Sequence, residues 1–142
     1  MTVFSLLYAS RSLVPSEEAE ATVSALANLS RSRNRELGVT GCLIFGGAKF
    51  AQVLEGPQAA VESLMRSICV DPRHAGVTIL EQGLRPERRF AEWALGYSGP
   101  SSYVQETIGT PLSEVLSGSP PNSLDLLRMM SDFHADHLDP RH

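Results

Sequence analysis

The chain has 142 residues, of which 42% are hydrophobic and 20% charged, enough for one domain with a single core and a tail. A net charge of −4 argues against a nucleic-acid surface, which carries a basic patch. No apolar run nears the roughly 18 residues of a membrane span, and the apolar N-terminus lacks the basic flank of a signal peptide, so a cytoplasmic protein is expected.

Residues 3–9 are predicted as a first strand, with Phe4, Leu6 and Tyr8 on one face and Val3, Ser5 and Leu7 on the other. After a connector over 11–15, Ser16 suits an N-cap, and Glu17 and Glu18 follow where the helix dipole favours negative charge. The helix is predicted to run to about Arg35. Its inward stripe, Val23, Leu26, Ala27, Ser30 and Asn34, begins apolar and turns polar towards the C-terminal end. Gly38 ends the segment.

Two β-branched and aromatic runs then flank Gly46-Gly47, and such a pair predicts a two-residue hairpin because glycine accepts positive φ cheaply. In the second run Phe50, Gln52 and Leu54 share a face, with Lys49, Ala51 and Val53 on the other. Gln52 is thus an amide amid aromatic and aliphatic neighbours. Left unpartnered it costs about 1–3 kcal/mol, so a polar group from the protein or from a ligand should meet it.

Pro57 opens a second helix, whose apolar face is Val61, Leu64, Met65 and Ile68, and residues 71–74 stop it. A fourth strand is predicted over 77–82, a basic loop over 85–89 and a fifth strand over 90–97. The order is the split βαβ pattern: a ferredoxin-like βαββαβ α/β sandwich with an added fifth strand and two helices on one sheet face. Beyond Ser98 the composition shifts to Gly, Pro and Ser, with a short helical piece over 112–116 and a helix over 123–137. The expected division is a domain over 1–98 and a C-terminal helical cap over 99–142, packed on the bare sheet face or on a neighbouring subunit. The apolar side of Leu124, Leu127 and Met130 suits a homo-oligomer. Cys42 and Cys69 lack metal or redox spacing and are expected as free, buried thiols.

Familiar catalytic and phosphate-binding motifs are missing from the sequence. Ser30, Asp71 and His74 have no spacing that orients them as a hydrolytic set. His134 and His137, beside Asp132 and Asp136, read as a solvated helix end rather than a metal site. More informative is what the sandwich brings together. Tyr8 and Gln52 face the helix layer, and Ser30 and Asn34 face back, around a slot walled by Leu26, Phe50, Leu54 and Ile68. Either these polar groups satisfy one another in the core, or a flat heteroaromatic ligand with donors and acceptors on its edge satisfies all four.

These residues carry a resemblance. From Thr2 to about Ser98 the chain resembles the BLUF family, small sensors of blue light using FAD. The matching pieces are Tyr8-Ala9-Ser10, Ser30 with Asn34, Thr40-Gly41, Phe50-x-Gln52-x-Leu54-Glu55-Gly56, Asp71-x-Arg73-His74 and Arg89-Phe90-x-x-Trp93. The resemblance implies a flavin, FAD or alternatively FMN, held non-covalently between the helices. Asn34 would bond the pyrimidine edge and Gln52 would face N5 and the C4 carbonyl. Asp71 and Arg73 would contact a ring carbonyl and the ribityl chain, with His74 and Arg33 nearby, and Leu26 and Ile68 would sandwich the ring. It also implies a mechanism: the excited flavin takes an electron and then a proton from Tyr8. Recombination follows a rearrangement of Gln52, which leaves a stronger hydrogen bond to the flavin and a red-shifted spectrum. Trp93 would lie beside the pocket or pack under the tail. Leu95 stands where the family usually has methionine, keeping the volume and losing the polarizable sulfur. The expected output is a shift in the fifth strand and tail, read by a separate signalling protein or a second subunit. The chain is then expected not to be an enzyme.

Two other readings stay open on the residues: a light-independent flavin- or ligand-binding regulatory domain on the same fold, and a small acylphosphatase-like enzyme. The latter needs an anion-cradling loop after the first strand, where residues 9–15 offer Arg11 and no glycine.

Overall fold

A computed structural model describes residues 2–15, 17–46, 49–91 and 96–98, with the backbone alone at 19, 20, 46 and 96–98. The elements are β1 (Val3–Ser12), α1 (Ala19–Leu37), β2 (Thr40–Gly46), β3 (Lys49–Gly56), α2 (Gln58–Val70), β4 (His74–Arg85) and β5 (Gly96–Ser98). They form one sheet in the order β4-β1-β3-β2-β5. The first four strands pair antiparallel, and β5 pairs parallel to β2. This is the expected βαββαβ order with a strand added at the β2 edge.

Several boundaries differ from the sequence expectation. β1 continues past Ala9 because Arg11 and Ser12 keep partners in β4, at Ala75 and His74. β4 is longer than residues 77–82 for the same reason. The first helix starts at Ala19 with Glu18 as N-cap and no side-chain cap bond, whereas Ser16 lies outside the described residues. It runs on to Leu37, where Gly38 at φ 71° turns its N–H onto the Asn34 and Arg35 carbonyls. The hairpin closes on Gly46↔Lys49, one residue later than a Gly46-Gly47 turn requires; residues 47 and 48 lie outside the described residues. Among the described residues of the expected fifth strand over 90–97, Gly96 and Tyr97 pair with β2, and the pairing extends to Ser98; residues 92–95 lie outside the described residues. Phe90 sits instead in a bend, because the Glu55 carboxylate holds its N–H and that of Arg89.

The helices pack on the face carrying Phe4, Leu6 and Tyr8. Under α2, those residues meet Val39, Leu54, Val61, Leu64 and Met65; under α1, Val23 and Ala27 meet Leu43, Phe45 and Phe50. Each such buried aliphatic side chain is worth about 1.5–3 kcal/mol. The two clusters are distinct, and the space between them is where the site lies. β3 runs through the middle of the sheet, so Ala51 and Val53 are buried as completely as Phe50 and Leu54. Gly41 is required by strand proximity: a Cβ there would fall 1.9 Å from the Val53 carbonyl oxygen.

Glu55 is fully buried at the end of β3 and ties the turn after β4 to the sheet. Its carboxylate accepts the Arg89 and Phe90 N–H groups, each at 2.7 Å, and the Thr40 hydroxyl at 3.1 Å. The Arg88 guanidinium completes the junction with bonds to Thr40 Oγ1 and to the Glu55 and Gly38 carbonyls. Both cysteines are free. Cys42 is buried as expected, but Cys69 is exposed, one residue before the end of α2. The expected domain boundary at 98, the helical cap, His134 and His137 fall on or beyond the last described residue. Among the described residues, no helix is long and apolar enough to cross a membrane.

Candidate functional site

Tyr8 and Gln52 are register partners on adjacent strands, so the sheet itself places their side chains together on the helix-facing side. The Tyr8 hydroxyl donates to Gln52 Oε1 at 2.6 Å, and both residues are buried. A phenol can donate only to the oxygen end of the amide, which turns the two N–H donors of Gln52 away from Tyr8. Burial pushes the Tyr8 phenol far above its ordinary pKa, and the negative charge of Asp71 adds to this. Tyr8 therefore stays protonated at any ordinary pH.

The pair opens onto a pocket enclosing about 810 Å³, part of it open to solvent, within the roughly 300–1,000 Å³ of small-molecule sites. From α1 come Leu26, Ser30, Arg33 and Asn34, at offsets of four, seven and eight residues along one helix face, with Asn34 buried. β3 adds Phe50, Gln52 and Leu54, and α2 adds Ile68. Asp71 and Arg73, from the connection between α2 and β4, and His74, the first residue of β4, close one end. Every cofactor-binding residue expected from the sequence thus lines the one pocket. Trp93 and Leu95 lie outside the described residues.

The polar end is internally ordered. Asp71 takes both the Arg73 main-chain N–H (2.9 Å) and a two-pronged contact from its guanidinium, at 2.9 and 2.8 Å. The side-chain bond from Arg73 holds the Asp71 carboxyl below the usual carboxylate range despite the opposing effect of burial, and the same bond raises Arg73. His74 packs against the Phe50 ring at 4.6 Å between centroids, and its Nδ1 lies 2.7 Å from the buried Ser10 hydroxyl. Burial lowers the His74 pKa, with Arg73 acting in the same direction and Asp71 opposing. The imidazole is accordingly neutral at pH 7.

Sequence reasoning missed Leu29, Leu43, Leu64 and Ser67 as pocket residues. Leu29 is 69% exposed at the mouth, three residues after Leu26; Ser67 precedes Ile68 on α2. Helical spacing extended one step along each stripe would have found both. Leu43 needed the correct hairpin register, which sets it opposite Gln52. Ser10 was seen only as a motif residue, and its bond to His74 spans 64 positions of sequence.

The lining suits a flavin on its chemistry. Leu26, Leu29, Leu54, Leu64 and Ile68 offer apolar area to a flat ring, while Asn34, Gln52 and Ser30 present amide and hydroxyl groups to its hydrogen-bonding edge. Arg33, Arg73 and His74 place cationic or N–H groups at the margin, where an anionic side arm would leave.

Comparison with known proteins agrees. Residues 3–96 match the family model for sensors of blue light using FAD. Over 82 residues, 58% of this chain, the sequence is 37% identical to the blue light- and temperature-regulated antirepressor BluF of Escherichia coli (strain K12), covering 20% of that protein. Over 119 residues, 82% of this chain, it is 34% identical to the photoactivated adenylate cyclase subunit beta of Euglena longa, covering 13% of that protein. The chain thus spans a fifth or less of the length of these curated relatives. The dark-state structure of BlrB, a BLUF protein, superposes with a TM-score of 0.78 at 30% identity, covering 92% of this chain and 96% of that one. By the match over residues 3–96 and the fold it shares with BlrB, the chain belongs to the BLUF family, the sensors of blue light using FAD.

Proposed function

We propose that this chain is a blue-light photoreceptor that binds FAD non-covalently between α1 and α2 and signals by rearranging the Tyr8–Gln52 hydrogen bond. The observation that carries the proposal is that bond itself, 2.6 Å long, buried, and on the wall of the pocket. A bound flavin supplies blue-light absorption and, once excited, an acceptor for an electron. Tyr8 would give up that electron and then its proton, the proton passing by way of its bond to Gln52 on to the group that accepted the electron. Freed from its donor, Gln52 rotates or tautomerises, so that a different end of the amide faces the ring. Tyr8 then recovers electron and proton against a rearranged partner. The rearranged Gln52 makes one stronger bond to the flavin carbonyl, which shifts the absorption to the red.

In this reading Asn34 holds the pyrimidine edge, Leu26 and Ile68 sandwich the ring, and Arg73, braced by Asp71, reaches the ring carbonyl and ribityl chain. Arg33 and His74 flank the side arm. Phe50 and Leu54, beside Gln52 on β3, keep water from the rearranging amide. The role proposed for Trp93 and Leu95 is to feel the Gln52 change and pass it on. The partner proposed is a separate signalling protein or a second copy of this chain; relatives carry the matching stretch inside an antirepressor and a cyclase subunit.

The test is a spectrum. Purified chain loaded with FAD should be yellow, and its flavin bands should move to the red under blue light and return in the dark. Flavin bound with no light-induced shift would replace this reading with a light-independent flavin-binding regulatory domain.

A further inference from the structure

On the sheet face turned away from the helices, Glu81, Gly83 and Arg85 of β4 follow one another in a row. They pair with Leu7, Ser5 and Val3 of β1. Gly83 breaks the row of side chains: a Cβ added there would meet nothing within 4 Å among the described residues. The gap is a notch of about 450 Å³, part of it open to solvent, floored by Ser5 and Leu7 and flanked by Glu81 and Arg85. Arg89 reaches over it from the turn after β4.

Among the described residues the charges in the notch do not balance, with two guanidinium groups against one carboxylate. Arg85 Nε is buried and has no hydrogen-bond partner among the described residues. Arg89 donates to Ser5 Oγ at 3.4 Å and stands 3.8 Å from the Glu81 carboxylate, both long for a hydrogen bond. Its side chain is only 18% exposed. Burial lowers the Arg89 pKa and the charge of Arg85 lowers it further, with Glu81 and Glu55 opposing. Two arginines lining one notch, one with an unmet buried donor, are short of an acceptor.

We propose that the Gly83 notch is a carboxylate-binding site, in which Arg85 and Arg89 grip a single carboxylate from a free acid or from an acidic side chain. A planar guanidinium matches a carboxylate in a two-pronged contact. Glu81 leaves the notch with a net charge suited to one negative charge rather than to a doubly charged phosphate. The site is on the opposite face of the sheet from the flavin pocket, and its occupancy does not depend on the flavin reading.

The test is ¹⁵N–¹H NMR of the full chain, following the Arg85 Nε–H during titration with sodium acetate and, in a second arm, with a short Glu-rich peptide. Sodium chloride at matched ionic strength is the control. A saturable shift beyond chloride is expected, and the arm in which it is tighter identifies the source of the carboxylate. Gly83→Leu fills open space, so the variant should fold, checked by circular dichroism, and should lose the response. Arg85→Gln, followed through the Arg89 Nε–H, should weaken it about tenfold. No saturable shift beyond chloride with either probe, or the same shift in folded Gly83→Leu, overturns the proposal.

Discussion

Tyr8 and Gln52 are 44 residues apart in sequence and 2.6 Å apart at their polar atoms, on strands whose ladder pairs them directly. The sheet fixes both Cα positions, so the freedom left in the pair belongs to the side chains. Turning the Gln52 amide breaks or remakes one hydrogen bond and leaves the backbone ladder intact.

Replacing Gln52 with Leu keeps an apolar side chain of similar length on that face and strands the Tyr8 hydroxyl without its acceptor. The cost of a buried orphaned donor is about 1–3 kcal/mol. Urea unfolding should show a loss of that size, and the variant, if it binds flavin, should give no light-induced red shift.

Asn34 is buried on the pocket wall and lies at the C-terminal end of α1, where its carbonyl accepts the Val39 N–H. Asn34→Ala keeps that main-chain bond and removes the carboxamide. Affinity for FAD, followed by quenching of flavin fluorescence, should fall about tenfold, equivalent to a hydrogen bond of ~1.4 kcal/mol. Leu29→Ala, at the exposed mouth, should change it less.

Glu55→Gln tests the junction that fastens the turn after β4. One carboxylate oxygen becomes an amide nitrogen, which cannot accept from a backbone N–H. One of the bonds to Arg89 or Phe90 is then lost and a donor faces a donor. Stability should drop by about 1.5–3 kcal/mol, the range for a hydrogen bond to a charged group. Hydrogen exchange at the Arg89 and Phe90 amides should accelerate more than at β1 amides.

Acid should destabilise the fold in two steps. Burial holds the His74 pKa below its ordinary 6.5, so the unfolded chain takes up the proton first as the pH falls. Stability is full above about 6.5 and declines below it until the folded-state pKa is passed. Asp71 works in the same direction at lower pH. Its folded pKa lies below the ordinary 3.8 through its bond to Arg73, so its contribution is present above the unfolded value and is lost as pH falls through the folded one. The midpoint temperature should decline from about pH 7 to pH 5, and His74→Gln should flatten that part of the curve.

Much of this was legible in the sequence, for identifiable reasons. The stripe Val23–Ala27–Asn34 and the face Val61–Leu64–Met65 obey helical periodicity, and all six residues are buried. Period 2 put Tyr8 and Gln52 on the helix-facing side, which was enough to foresee a polar group meeting the buried amide. The hairpin register was not legible. A turn at Gly46-Gly47 would set Gly41 opposite Gln52, whereas closure on Gly46↔Lys49 sets Leu43 there. Glycine marks a turn but does not count its residues. The shift is two positions, so every side chain kept its face and only the partners changed. The bonds from Glu55 to Arg89 and Phe90 and the Ser10–His74 bond were hidden because each joins residues at least 34 positions apart, a distance over which local pattern carries no information. The Phe90 bend follows from Glu55: its N–H was committed to a carboxylate, so an apolar, strand-like stretch did not join the ladder there.

The most direct measurement is the flavin absorption spectrum of Tyr8→Phe before and after blue light, beside the unsubstituted chain. Phenylalanine keeps the ring in its buried place and removes the hydroxyl that donates to Gln52. The variant should remain yellow and its bands should not move, while those of the unsubstituted chain shift to the red and relax in the dark. A reversible red shift of ordinary size in Tyr8→Phe would contradict the role given to Tyr8.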